Sequence, residues 1–286
     1  MIDAEVQRLE SEAEQCAREV GIPPCPVILA RFQEQMASDE PDLRALSRLI
    51  VSDIGLSAAL VKTVNAPFYG LARKATTVQG ALSILGLRAS ANLVAALLLR
   101  QAFPSESSAG MKRFWAQSLR MVDTALELAP LVDGIRPDEA STYVLFRDAG
   151  MAVMLQRFEE YGDFTCRYAT RTGKDLAIEE EGRFNYSHAR VGHSLSRGWQ
   201  LADSMCRAIL LHHDIELARK GGGGDFDGDA RRLVAFGLLA EQAYILRDER
   251  RLCPDWKAGE AFVFDTLGMN ADSVAALIQR QGNRRP

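Results

Sequence analysis

Arg88-Ala89-Ser90-Ala91-Asn92-Leu93-Val94-Ala95-Ala96-Leu97-Leu98-Leu99-Arg100-Gln101-Ala102 decides the class of the fold. From Leu93 to Leu99 the stretch is apolar nearly all round and keeps no polar face. A helix of that kind belongs at the centre of a protein rather than on its surface. Even extended by Ala91, the uncharged run is far too short for a bilayer, which takes roughly 20 residues. The reading is therefore a buried central helix in a soluble chain.

Working back from it, Thr76-x-x-Gln79 resembles a capping box that opens a short helix ending at Gly86. Before that, residues 56–65 are rich in Ala, Leu and Val, and Asp42 caps a helix striped by Leu43, Leu46, Leu49 and Ile50. Residues 26–37 form another. Residues 3–19 carry Val6, Leu9 and Ala13 at helical spacing, and Gly21 with Pro23, Pro24 and Pro26 stops that helix. Working forward, Pro104 to Gly110 breaks the pattern and is the best domain boundary. Helices follow at about 111–131, 138–157, 164–172, 187–199 and 202–214, then 230–249 and two shorter ones. No segment alternates with period two, so the fold class is all-α. Gly221 to Asp229 reads as a flexible loop. Its Asp225-x-Asp227-x-Asp229 spacing lacks the Gly and Glu that an EF-hand requires, since Ala230 and Phe236 stand there.

The 286 residues carry a net charge of −4, and the basic pairs Arg231-Arg232 and Arg250-Arg251 sit among acids. This argues against nucleic-acid binding. The start, Met1-Ile2-Asp3-Ala4-Glu5, has no signal-peptide character. Cys16, Cys25, Cys166, Cys206 and Cys253 are odd in number and form no CxxC, which predicts reduced thiols in a cytoplasmic protein.

Chemistry concentrates late in the chain. All four histidines lie between 188 and 213. His188 shares a helical face with Val191, Leu195 and Trp199, as a core histidine or a metal ligand would. His193 points elsewhere and is expected to be exposed. His212 and His213 diverge by about 100° on a helix, so both meeting one metal is uncommon. They are either ligands or a C-terminal turn where imidazolium complements the helix dipole. Asp148 lies in the apolar stretch Leu145–Met151 and needs a partner; its neighbour Arg147 would not face it on a helix. No nucleophile elbow, P-loop, HExxH or dinucleotide turn is present.

Several ordered blocks carry a family resemblance. Ile22-Pro23-Pro24-Cys25-Pro26-Val27 resembles the Leu-Pro-x-Leu-Pro opening of the HDOD family. Leu46 to Leu60 is similar to its I-x-x-Asp-Pro-x-Leu stretch, Asn65-Ala66-Pro67-Phe68-Tyr69-Gly70 to its Asn-Ser-x-x-Tyr-Gly turn, and Ala81 to Leu87 to its A-I-x-x-L-G helix end. The resemblance covers about residues 20–218. It implies an HDOD-like helical bundle, with an N-terminal helical lobe (20–104) packed on a degenerate lobe of the HD phosphohydrolase type (110–218). Residues 1–19 would be a preceding helix and 219–286 a helical extension on the second lobe.

HD enzymes typically hold metal with a His, a His-Asp doublet and a later Asp. Against that pattern this chain has Gln117 for the first His and Arg147-Asp148 for the doublet. His188, His212 and His213 match, and Glu241 stands where the last Asp is expected. A guanidinium cannot ligate a cation. The resemblance thus implies a vestigial site and a non-catalytic bacterial signalling module that acts through protein partners. No cofactor is expected on this reading. Its alternatives are an HD-type phosphohydrolase holding divalent metal on Asp148, His188, His212 and His213, and a nucleotide-sensing module without turnover. A groove between the lobes near Asn65, Tyr69 and Gly70 is the expected interaction surface; those residues equally suit a plain structural turn.

Overall fold

A computed structural model describes residues 2–66, 71, 74–168, 170–220 and 228–282. Among the described residues there are helices and turns but no strand, so the all-α expectation is met. The chain divides into two compact units. The first comprises residues 23–104 with 198–201; the second comprises 1–22, 105–197 and 202–286.

Five helices build the first unit: α2 (Val27–Met36), α3 (Leu43–Val51), α4 (Ile54–Val64), α5 (Val78–Leu85) and α6 (Leu87–Ala102), preceded in the chain by α1 (Ile2–Val20). Asp42 caps α3 by accepting from the backbone N–H groups of Arg44 and Ala45, and Asp53 caps α4 through Leu56 N–H. The α5 cap is Thr77, accepting from Gly80 N–H, one residue later than the capping-box reading placed it. A start at Val78 puts Val78, Ala81 and Leu82 on the buried face. Gly86 joins α5 to α6 at φ 76°, a left-handed conformation that a side chain would strain. The decisive stretch is helical as read: Ala91, Val94, Ala95, Leu98 and Leu99 of α6 are buried, and Leu93 and Leu97 are half-buried.

Asn65, which follows α4, has a local task. Its carboxamide accepts from Ala75 N–H at 2.8 Å and donates to Ala75 C=O at 2.7 Å. Both backbone groups of Ala75 depend on it. Asn65→Ala should therefore cost about 2 kcal/mol, read as a lower urea midpoint. Tyr69 and Gly70 lie outside the described residues, as does the stretch from Gly221 to Asp227.

The second unit adds α7 (Ala109–Leu128), α8 (Pro137–Arg147), α9 (Ala149–Arg157), α10 (Tyr161–Tyr168), α11 (Gly173–Phe184), α12 (His188–Gly198), α13 (Asp203–Leu211), α14 (Ile215–Lys220), α15 (Gly228–Glu249), α16 (Trp256–Leu267) and α17 (Ala271–Gly282). Helix α7 runs along α8, and α15 lies against α7, α8, α13 and α16. Trp115, Tyr143, Phe146, Phe164, Phe236 and Phe262 fill the core. Helix α1 belongs here: Val6 joins Leu210, Leu211 and Leu217 in one apolar cluster with Leu9 beside it. Polar ties reinforce that seat. Arg190 reaches Glu12 at 2.8 Å, Arg207 reaches Glu10 at 3.3 Å, and the Ser194 hydroxyl donates to Ala13 C=O.

Three sequence expectations are corrected. Residues 138–157 are two helices, because Asp148 breaks the run at φ −103°, ψ 9°. Residues 173–184 form a helix that the pattern did not announce, and α10 ends before them. His193 is buried, not exposed, because its Nδ1 meets Cys206 C=O at 2.9 Å across the α12–α13 contact.

Candidate metal centre

The break at Asp148 is what makes the site. Outside helical geometry the Asp148 carboxylate turns into the unit beside Arg147, and Arg147 Nε lies 3.9 Å from Asp148 Oδ2. Neighbours in a continuous helix would not face each other in this way. Helix α9 then crosses α12 closely, with Gly150 against the backbone of His188 and Gly192. This crossing brings Asp148 Oδ1 to 3.8 Å from His188 Nε2.

His188 opens α12 directly after a reversal of the chain. Asn185 ends α11 in the left-handed region at φ 65°. The reversal folds α11 back so that Glu180 Oε2 accepts from both His188 N–H, at 2.8 Å, and His188 Nδ1–H, at 2.7 Å. The Tyr161 hydroxyl donates to the other Glu180 oxygen. Glu180 and His188 are both fully buried.

His212 and His213 meet the same point, because α13 stops at Leu211 and both lie in the turn beyond it. Their divergence on a helix therefore does not apply. His212 Nδ1–H donates to Ile209 C=O at 2.6 Å. His212 Nε2 and His213 Nε2 stand 3.3 Å and 3.0 Å from His188 Nε2, and Asp148 Oδ1 lies 3.4 Å from His212 Nε2. His213 Nδ1 is 3.5 Å from Asp255 Oδ2.

A divalent metal fits this arrangement. Ligand atoms of Asp148, His188, His212 and His213 all lie within 4.8 Å of one another. A carboxylate and a carbonyl oblige the Nδ1 atoms of His188 and His212 to carry the proton. Their Nε2 lone pairs then face each other with no hydrogen between, and a shared cation satisfies both. Ligands about 2.1 Å from a tetrahedral metal stand about 3.4 Å apart, close to the separations seen. The electrostatics divide the three imidazoles. Burial would depress His188, but the Glu180 carboxylate outweighs it and holds His188 above the usual histidine range, so a metal must displace a proton there. The other two are poised neutral. Burial together with the neighbouring imidazoles holds His213 well below the usual histidine range. Burial also depresses His212, outweighing its Asp148 hydrogen bond. Asp148 resists protonation: burial favours the acid, but the Arg147 charge and the His212 hydrogen bond outweigh it.

The HDOD domain profile matches residues 22–215. The chain belongs to the HDOD family. A protein of Treponema pallidum (strain Nichols) is 25% identical over 224 residues, which are 75% of this chain but only 42% of that protein's length. Among solved structures, an HDOD domain protein of unknown function from Geobacter sulfurreducens shares 21% identity at a TM-score of 0.64, covering 96% of this chain and 95% of its own. A candidate phosphohydrolase from Shewanella amazonensis SB2B shares 18% at 0.66, covering 94% and 93%. A candidate signal transduction protein from Marinobacter aquaeolei VT8 shares 20% at 0.66, covering 98% of this chain and 63% of its own. At these identities the three share the fold. No helix among the described residues is long and apolar enough to cross a membrane.

The remaining sequence-derived residues of this HDOD chain that the structure describes around the site, Arg147, Glu241 and Gln117, adjoin the four ligands without joining them. Arg147 is buried, and its Nη2 bonds Glu241 at 2.6 Å, with Nη1 reaching Gly237 C=O at 3.4 Å. Burial opposes that charge, but Glu241 and Asp148 hold the guanidinium above even its usual range. Gln117 is exposed on α7 and lines a cavity of about 360 Å³ that Arg147, Asp148, His213 and Glu241 also line.

Sequence reasoning missed Glu180 and Asp255. A signal for Glu180 exists: Leu176, Glu180 and Phe184 fall at i, i+4, i+8, so the acid interrupts an apolar stripe. Asp255 accepts from Gly173 N–H at 3.0 Å and thereby ties the start of α11 to His213. A Cβ on Gly173 would stand 1.7 Å from His213 Nδ1. Gly173→Ala should push the His213 ring off the shared point. The expected result is metal affinity weaker by about tenfold or more with helicity kept, measured by chelator competition and circular dichroism.

Proposed function

We propose that this chain is a regulatory HDOD module that holds one divalent metal at Asp148, His188, His212 and His213, turns over no phosphoester, and acts through protein partners in a bacterial signalling pathway. The Arg147–Glu241 ion pair carries the reading. In the HD pattern a metal-ligating histidine is expected at the position of Arg147. A guanidinium there binds no cation and repels a second one close to Asp148. Two like charges at such a range, poorly screened, cost several kcal/mol as an order of magnitude. Glu241, the counterpart of the expected last carboxylate ligand, is engaged by that guanidinium. A second cluster of ligand type, Glu241 with Cys253 and Asp255, lies in the same unit, but its Glu241 is held by Arg147, so the second ion of a two-metal hydrolysis would have to break that ion pair. The free thiols of Cys25, Cys166, Cys206 and Cys253 favour a cytoplasmic setting.

The test is metal content per chain, by plasma mass spectrometry on untagged protein after dialysis against iron, manganese or zinc. Phosphodiester hydrolysis is assayed on the same samples. The expected result is about one ion per chain, background metal in His188→Ala, and no hydrolysis. Two ions per chain with turnover would make the protein a phosphohydrolase and sink the reading.

A further inference from the structure

Helix α1 supplies none of the four ligands, yet it touches every element that does. The turn that holds His212 and His213 is flanked on both sides by the apolar seat of α1. Leu210 and Leu211 precede the two histidines and Leu217 follows them. The backbone ties turn and seat together: Asp214 N–H donates to Leu211 C=O at 2.9 Å, and Asp214 Oδ1 accepts from Leu217 N–H at 3.0 Å. On α12, which opens with His188, Arg190 bonds Glu12 and the Ser194 hydroxyl donates to Ala13 C=O. Helix α9, which follows Asp148, also packs on α1.

The hold on α1 is narrow. Among its residues whose burial is described, Val6, Ala13 and Val20 are buried, one for every two turns, with Leu9 half-buried. A helix seated firmly on a core shows three to four apolar residues in that length. The ion pairs to Arg190 and Arg207 are partly exposed and add little. A cation shared by the Nε2 atoms of His188, His212 and His213 fixes the histidine turn against α12, and with it the seat. Without that cation the three rings have no common partner, and the turn is free to shift. We propose that α1 is a metal-gated strap: metal at Asp148, His188, His212 and His213 keeps it seated, and loss of the metal lets it lift from Leu210, Leu211 and Leu217. This rests on the metal reading above and names the output of that site, a change at the protein surface.

Hydrogen exchange of the full chain, followed by mass spectrometry, tests it on chelator-treated protein and on protein dialysed with zinc or with manganese. Helix α17 is the control, because it packs on α7 and α15, which supply none of the four ligands. Metal should slow exchange in α1 by at least about tenfold and in α17 by less than about twofold. Coupling between two sites is reciprocal. Val6→Asp combined with Leu9→Asp, which undocks α1, should therefore weaken metal affinity by the same factor in a chelator competition. The exchange measurement needs no variant, so it decides the matter even where the double variant does not fold. Equal slowing of α1 and α17 would mean general stabilisation and overturn the strap, as would unchanged affinity in the folded double variant. Metal content is read on the same samples. Metal retained with exchange in α1 unchanged defeats the strap alone. No metal retained defeats the metal reading and the strap with it.

Discussion

Gly150→Ala should unfold the second unit or destabilise it by about 4 kcal/mol or more, which is exceptional for adding one methyl group. A Cβ at Gly150 would lie 1.9 Å from His188 C=O oxygen, 2.6 Å from Gly192 N and 2.8 Å from the His188 carbonyl carbon. All three are backbone atoms of α12, so no rotamer change relieves the overlap. The two helices must separate, and the core around them loses its close packing. Denaturant unfolding followed by circular dichroism measures the loss. Gly192→Ala is the internal comparison. Its nearest neighbours are Ile209 Cγ2 at 3.2 Å and Gly150 N at 3.3 Å, which can give by a few tenths of an ångström. It should cost about 1–2 kcal/mol. Equal, small effects from both would mean that the α9–α12 crossing is looser than described.

The second large effect is expected at Glu180. Glu180→Ala removes the acceptor for Tyr161 O–H, His188 N–H and His188 Nδ1–H, all within the interior. Removing one partner of a buried charged pair costs about 3–5 kcal/mol. The loss should appear as a lower denaturant midpoint. Because such a variant can fail to fold, Glu180→Gln provides the finer reading. It keeps the shape but supplies a single acceptor oxygen, so His188 is no longer held in one tautomer and orientation. Metal affinity should fall by about 10- to 100-fold while the fold persists. An unchanged affinity in Glu180→Gln would show that His188 needs no orienting partner.

Most of the fold was legible because the apolar spacing is strong where helices are buried. The α6 stretch, the α3 stripe and the His188–Val191–Leu195 face all lie where the pattern put them. The HDOD blocks were legible for the same reason, since they are turns and caps with narrow residue requirements. Asp42 and Gly86 do in the structure what their residue types suggest.

The site was only half legible. Clustering of the histidines in sequence pointed at three of the four groups that the structure brings together, and the fourth, Asp148, stood out by its apolar surroundings. Their convergence depends on two places where helices stop, at Asp148 and after Leu211. Neither stop carries a Pro or Gly at the break, so periodicity ran straight through both. Helix α11 was hidden because Glu180 sits on its buried face, and a stripe with a carboxylate in it reads as solvent-exposed. His193 was misjudged for the converse reason: contact with α13 buries a face that α12 alone would leave polar.

Helix α1 has one further consequence. It is made well before α13, yet the partners of Val6 and Leu9 in the apolar cluster are Leu210, Leu211 and Leu217. At roughly 5–20 residues per second, about 10–40 s of ribosomal synthesis separates the emergence of α1 from that of α13. All of residues 23–104 leave the tunnel in between and can fold in the meantime. During that interval the nascent chain carries an amphipathic helix with no completed seat. Ribosome-bound chains ending before residue 203 should therefore recruit holding chaperones, and longer ones should release them.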